Sequence, residues 1–478
     1  MSENRLQGEN AKIVATLGPG SRSPKEIRAL ADAGVDVFRL NFSHGEHAAH
    51  LEALNAVRAV EAATGRPLAI LGDLQGPKVR VGKFPDGGIR LGFRKEYKLV
   101  AADSTDDDDT IPVPHKEIVD ILEAGDTILV DDGKLILTVT KSGKVPMVRA
   151  EVPGKISDKK GFTVRGKALP VRALTEKDRA DLDFALEIGV DIIALSFVQS
   201  VSDVEEVKAI IAGRAPLVSK LEKPAAIANL DAIVEASDAV MVARGDLGVE
   251  FAPEDVPVIQ RRIVRSARSR GRPVIVATQM LESMIENSAP TRAEASDVAT
   301  AIYQGADAVM LSAETAVGRH PATAVAIMAR IIRATEMAED YRQSIGQFAG
   351  DAAPSSAVDV VAETAQAMAS AEGAVALALR TGAFDRLARF SRVRGTAPIL
   401  YGSLDDQRLR QACLLWGVHP QRLNAGATYW YRDLMQAAGL KGRVAYARVG
   451  RRCPVCVGSR RRQGRGRTPD RRRVITDG

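Results

Sequence analysis

The sequence predicts an α/β chain built on a closed (β/α)8 TIM barrel, with a small all-β lid domain inserted into it and a further α/β domain after it. Three observations carry this prediction: eight short aliphatic runs each followed by a helix-period stretch, one long interruption of that rhythm, and a Gly/Ala/Pro/Ser stretch beyond the eighth unit. The runs are Lys12–Leu17, Val35–Asn41, Leu68–Leu74, Asp191–Val198, Pro216–Glu222, Ala239–Ala243, Pro273–Thr278 and Ala308–Ser312. Several are nearly all apolar, DIIALSFV and PVIVAT among them, as strands buried on both faces must be. Thr175 before Glu-Lys-Asp, Ser202 before Asp-Val-Glu-Glu and Pro253 before Glu-Asp-Val supply helix starts. Right-handed crossovers return each strand beside its predecessor, so eight such units close on themselves.

The interruption follows the third run. Alternating short strands (RKEYKLV, DTILVDD, KLILTVT, MVRAEVP) and turns such as Asp86-Gly87-Gly88 and Asp132-Gly133 fill it. The expected division is a barrel from residues 1–75 and 172–343, an inserted β domain over 76–171 and a smaller α/β domain over 355–446. A long helix is expected from about Pro321 to Tyr341, before the linker-like GQFAGDAAPSSA. The acidic run Asp106–Asp109 reads as a solvated loop.

Composition narrows the class. The chain is 45% hydrophobic and 26% charged, as expected of a protein with a substantial core. No apolar run approaches the length of a membrane span, and the N-terminus lacks a secretory signal. The three cysteines, Cys413, Cys453 and Cys456, form no disulfide framework, so a cytoplasmic location is expected. From Arg443 onward there are twelve Arg against Asp470 and Asp477, a local charge of +10. The formal total is +6, so the remaining residues sum to −4 and the basic character belongs to the tail.

Barrel chemistry sits where the strands end. Strand two ends in Arg39, Asn41, Ser43 and His44, and strand three in Asp73, followed by Gln75 and Lys78. Strand five ends in Lys220 and Glu222, strand six in Arg244, Gly245 and Asp246, strand seven in Thr278, and strand eight in Ser312 and Glu314. Glu222 and Asp246 are two hard carboxylates on neighbouring strands, suited to Mg2+ with Mn2+ as an alternative. Lys220 and Arg39 are cations suited to the charge of a transferring phosphoryl group. Gly245 allows a close backbone approach to an anionic group, and Thr278 and Ser312 are hydroxyls able to relay a proton. Each residue alone has a bland reading as a solvated charge or helix cap; the ensemble on one rim does not.

The segments that hold these residues resemble the bacterial pyruvate kinases. KIVATLGPGSR, VFRLNFSHG, GDLQGPKVRVGKF, SDKKG, LTEKDRADL, VSKLEKP, VMVARGDLGVE, ATQMLESMI, PTRAEASDVA and MLSAET follow that family's order from about Lys12 to Ile345. The resemblance implies glycolytic transfer of phosphate from phosphoenolpyruvate to ADP, giving pyruvate and ATP, in a homotetramer. It implies that Glu222 and Asp246 bind Mg2+, that Arg39 contacts the phosphoryl group and that Lys220 stabilises the transition state. It places Gly245, Asp246 and Thr278 at the substrate carboxylate, Thr278 and Ser312 near the enolate, and Asn41, His44, Arg80 and Lys160 at the nucleotide.

Two departures bear on function. K+-requiring members of the family resemble one another in having DTKGPE, whereas here the segment is DLQGPK, with Lys78 at the place of the Glu. Asn41, Ser43, Asp73 and the Leu74 carbonyl could still hold K+, but the Lys78 ammonium is expected to stand in for it, so K+ is not expected to be required. Arg380-Thr381-Gly382-Ala383-Phe384-Asp385-Arg386 occupies the family's sugar-phosphate effector loop with fewer hydroxyls and an added Asp, which does not suit fructose 1,6-bisphosphate. AMP or a sugar monophosphate stays open as effector.

Beyond about Tyr446 the resemblance ends, and residues 447–478 are expected to form a disordered, Arg-rich tail foreign to the domain before it. Cys453 and Cys456 form a CxxC without the second pair a zinc knuckle needs. An RNA-binding arm is the weaker reading, and no nucleic acid partner is expected. Two other barrel classes compete: an aldolase using Lys220 as a Schiff-base amine, and an inert binding barrel, against which Lys220, Glu222 and Asp246 are all present.

Overall fold

The structure is a computed structural model that describes residues 9–131, 133–167, 170–349, 356–426, 429–449 and 456–460. All eight aliphatic runs become barrel strands: β1 Lys12–Thr16, β2 Val37–Asn41, β3 Ala69–Asp73, β4 Ile192–Leu195, β5 Leu217–Leu221, β6 Ala239–Ala243, β7 Val274–Ala277 and β8 Ala308–Leu311. They close into one barrel in sequence order, each parallel to its neighbours, with β8 returning to β1 through Lys12 opposite Ala308. Val14, Val37, Leu71, Ile192, Val218, Met241, Ile275 and Met310 belong to one buried cluster of strand residues, while a larger cluster joins other strand residues to the surrounding helices. This two-sided burial is why the runs are continuously apolar.

Helix starts follow the capping logic, with two shifts. Thr175 makes the expected capping box with Asp178, whose carboxylate also accepts the Gly76 amide at 3.0 Å. The next helix is capped by Ser200, not Ser202, because the Ser200 hydroxyl accepts from the Asp203 amide and Asp203 answers the Ser200 amide at 2.8 Å. The helix expected near Pro253 begins at Val256, with Pro257 in its first turn where a missing N–H costs nothing. The single long helix from Pro321 is two, Pro321–Met337 and Glu339–Ala349, separated by Ala338 in an extended conformation (ψ 142°). Part of the linker-like segment, residues 350–355, lies outside the described residues.

The insertion forms a six-stranded sheet ordered Phe162–Val164, Thr127–Val130, Leu135–Lys141, Met147–Ala150, Glu96–Val100, Thr110–Pro112, and a two-stranded ribbon of Gly88–Leu91 with Gly154–Ser157. Its own core includes Tyr97, Leu99, Ile128, Leu137 and Val148. Two short helical turns, Pro85–Gly87 and Lys116–Val119, interrupt the β pattern. Arg80, near the start of this unit, bridges Gly161, just before its last strand.

The last sheet runs β11 Val418–Arg422, β10 Ile399–Ser403, β9 Ala376–Thr381, β12 Val444–Val449, β13 Cys456–Arg460. Its first four strands are parallel and β13 is antiparallel to β12. The disorder expected from residue 447 is thereby amended for residues 447–449 and for Cys456–Arg460; residues 450–455, including Cys453, and 461–478 lie outside the described residues. Buried Cys413 and Leu414 join the inner barrel cluster, so this unit plugs one end of the barrel. Burial pushes the Cys413 thiol up to about 12, leaving it unreactive. Arg410 on Glu61 (2.9 Å), Arg394 on Asp307 (2.8 Å) and the Trp416 indole on Glu336 (2.8 Å) tie the unit to the barrel.

Candidate active site

The site grows from Asp73, the last residue of β3. Its Oδ2 accepts Arg39 Nε from β2 at 2.7 Å, and its Oδ1 lies 3.5 Å from Lys220 Nζ of β5. Lys220 Nζ donates to Ser196 Oγ at 2.7 Å and stands 3.7 Å from Glu222 Oε2, while Arg39 also reaches Thr16 Oγ1 at 3.1 Å. Parallel pairing of β2 with β3 and β4 with β5 sets these residues side by side, because each side chain comes from the same end of its strand.

Burial and charge act against each other here. Burial opposes charging of Lys220, but the carboxylates of Asp73, Glu222 and Asp246 outweigh it and lift the ammonium above its ordinary range. Burial likewise pushes Asp73 up, and Lys220 and Arg39 more than reverse it, holding the carboxyl below its ordinary value. Glu222 goes the other way. Burial raises it to about 7, Lys220 opposes this and Asp246 adds to it. An ammonium favoured by three carboxylates is ill suited to Schiff-base formation, which argues against the aldolase alternative.

Glu222 has the features of a cation ligand. Its Oε1 accepts the Phe197 amide at 2.6 Å, while Oε2 is buried with no hydrogen-bond partner among the described residues. Asp246 is near enough to act on its charge. A divalent cation would satisfy the orphaned oxygen and stabilise both carboxylates as anions.

Across the rim, the turn after β7 is strained. Thr278 and Gln279 both have left-handed backbone (φ 71° and 54°), uncommon for a β-branched residue. Thr278 Oγ1 accepts the Gly245 amide at 2.7 Å. Arg244 holds the turn: NH2 donates to the Thr278 carbonyl at 2.6 Å, and NH1 is fixed by Asp297 at 2.8 Å. Ser312 donates its amide to Glu314 at 2.7 Å, and its buried hydroxyl has no partner among the described residues. Glu314 also accepts the Leu281 amide at 3.2 Å, joining the β7 and β8 rims.

The remaining candidates flank this centre. Asn41 Oδ1 accepts the Ser43 amide (3.2 Å), and the Asn41 carbonyl accepts the His44 amide (3.1 Å). Arg80 bonds the Lys159 carbonyl at 2.8 Å and Lys160 pairs with Asp131 at 2.9 Å, both at the base of the inserted domain. Lys78 lines two clefts with Asp246, one facing Phe162 and Phe197, the other facing Arg244 and Gly245. The Leu74 carbonyl accepts Ser196 Oγ at 2.7 Å. Sequence reasoning missed Ser196, Phe197 and the bracing role of Arg244; the only signal was a hydroxyl at the end of an otherwise apolar run.

A closed parallel barrel whose rim carries paired carboxylates, buried cations and a braced hydroxyl turn beside an inserted β domain is the build of a barrel enzyme that handles an anionic substrate. The family model described as pyruvate kinase, barrel domain, matches residues 8–325. A pyruvate kinase of Agrobacterium vitis is 46% identical over 417 residues, covering 85% of this chain and 86% of the relative. One from Methylorubrum extorquens is 43% identical over 453 residues, covering 95% and 94%. A crystal structure of a pyruvate kinase from Cryptosporidium parvum superposes with a TM-score of 0.91 at 29% identity, covering 96% of this chain and 98% of that one. The chain belongs to the pyruvate kinase family.

Proposed function

We propose that this protein transfers the phosphoryl group of phosphoenolpyruvate to ADP, giving pyruvate and ATP. The observation that carries the reading is the Lys220 ammonium, buried and held charged between Asp73 and Glu222, beside an unsatisfied Glu222 oxygen. In the reaction the bond from phosphorus to the enol oxygen breaks, a bond to the ADP β-phosphate oxygen forms, and the enolate carbon takes a proton. Lys220 and Arg39 stabilise charge on the transferring group, each already oriented by Asp73. Glu222 and Asp246 would hold Mg2+, or Mn2+, which supplies charge neutralisation at the enolate and phosphate oxygens. The Gly245 and Asp246 amides and the Thr278 hydroxyl bind the substrate carboxylate, and Thr278 and Ser312 serve the proton path. Asn41, His44, Arg80 and Lys160 contact the nucleotide, with the inserted domain closing over it.

The Lys78 ammonium, in clefts shared with Asp246, is proposed to stand in for K+, so that turnover proceeds without that ion. The assembly is a homotetramer in the cytoplasm; no described helix is long and apolar enough to cross a membrane. The test is pyruvate formation from phosphoenolpyruvate and ADP, with and without Mg2+. Activity that is absent from the unaltered chain, or that survives Lys220→Met undiminished, would sink the reading. Repeating the assay in sodium or tetramethylammonium buffer tests the K+ statement, which a large activation by added K+ overturns.

A further inference from the structure

Phe197 follows Ser196 just beyond β4, at the rim between β3 and β5. Its backbone is left-handed (φ 56°), a genuine outlier for a bulky side chain, and such strain persists only where the surroundings impose it. Two contacts hold the ring. Gly76 packs so closely that a Cβ there would lie 2.5 Å from Phe197 Cδ2, and the Lys223 ammonium sits 5.0 Å from the ring centroid. Lys223 is itself tied to the buried carboxylate of Glu250. The left-handed turn aims the Phe197 amide at Glu222 Oε1, 2.6 Å away. That bond fixes the carboxylate so that Oε2, and only Oε2, is left without a hydrogen bond.

We infer that Phe197 is the positioning residue of the divalent-cation site: its clamped, left-handed backbone orients Glu222 and leaves one oxygen directed to the ion. The inference rests on the reading of Glu222 as a cation ligand. Partners that orient a ligand from outside the coordination shell matter about 10–100-fold for affinity. What distinguishes this role from simple packing is the backbone. Glycine adopts the left-handed conformation without penalty, whereas alanine without the ring clamp is released to a right-handed or extended one, withdrawing the amide.

The experiment is Mn2+ binding to the full chain without substrates, followed by electron paramagnetic resonance, for the unaltered protein, Phe197→Ala, Phe197→Gly and Glu222→Gln. Near-UV circular dichroism checks folding. Phe197→Ala is expected to weaken Mn2+ binding by about tenfold or more, and Phe197→Gly by less than about threefold. Equal weakening in both variants, or none in the Ala variant, overturns the inference while leaving Glu222 as a ligand if Glu222→Gln binds poorly. Loss of binding in no variant, Glu222→Gln included, removes the reading of Glu222 and the inference with it. Should Phe197→Ala fail to fold, Phe197→Leu fills the space without a ring face for Lys223; about threefold or greater weakening supports the inference and unchanged binding overturns it.

Discussion

Lys220 is buried among carboxylates, and its charge is the reason they can be buried too. Asp73 and Lys220 each move toward the charged form despite desolvation, so neither tolerates removal of the other. Lys220→Met is expected to lower kcat by about 10³-fold, the scale on which a group aimed at transition-state charge acts, measured by coupled pyruvate formation. Glu222 gives a pH signature of opposite sign to Asp73. Its carboxyl is raised from 4.5 to about 7, so the folded state binds this proton more tightly than the unfolded one. Without cation, Glu222's contribution to stability is present below about pH 4.5 and is lost as pH rises through about 7. The melting temperature of the cation-free protein minus that of Glu222→Gln should therefore fall between pH 5 and pH 8, roughly, and added Mg2+ should raise it most at the alkaline end. A flat difference would contradict this.

At the level of elements, strand ends decide position and turns decide aim. That Thr278 ends β7 follows from the pattern of the chain; that its backbone is left-handed and gripped by Arg244 does not. The guanidinium spans the Thr278 carbonyl and Asp297, and a lysine offers no such fork. Arg244→Met and Arg244→Lys are both expected to lower kcat/KM for phosphoenolpyruvate by about 10–100-fold, from hydrogen bonds worth about 1.5–3 kcal/mol, in steady-state assays on protein checked by circular dichroism. Retention of activity by the lysine variant would assign the effect to charge alone. One misplaced helix start lay between two equivalent caps. Ser200 with Asp203 and Ser202 with Glu205 both have capping-box spacing, and the structure uses the first pair.

For the whole molecule, the C-terminal sheet closes one barrel end while the candidate site lies at the strand ends of the other. β13 lies at the far edge of that sheet, paired only with β12 among the described strands. Truncation after Val449 is expected to leave kcat within about twofold and to lower the melting temperature by a few degrees, roughly what loss of one edge strand costs in a protein of this size. Differential scanning calorimetry beside the coupled assay checks both. A large fall in kcat would show that the sheet edge reaches the rim through the barrel.

The sequence by itself determined the barrel and most of its rim. Eight two-sided strands need eight apolar runs, and residues that must meet substrate can only follow those runs, so Arg39, Asp73, Lys220, Glu222, Asp246 and Thr278 were visible as strand-end exceptions to an apolar pattern. Only the tertiary structure decided how they are aimed. The network of Asp73 with Arg39 and Lys220, the Phe197 amide on Glu222 and the Arg244 grip on Thr278 join residues 25 to 147 positions apart or rest on positive φ angles at residues that rarely adopt them. Neither spacing nor residue type encodes such contacts, because they arise only once the barrel has closed and brought its strand ends to one rim.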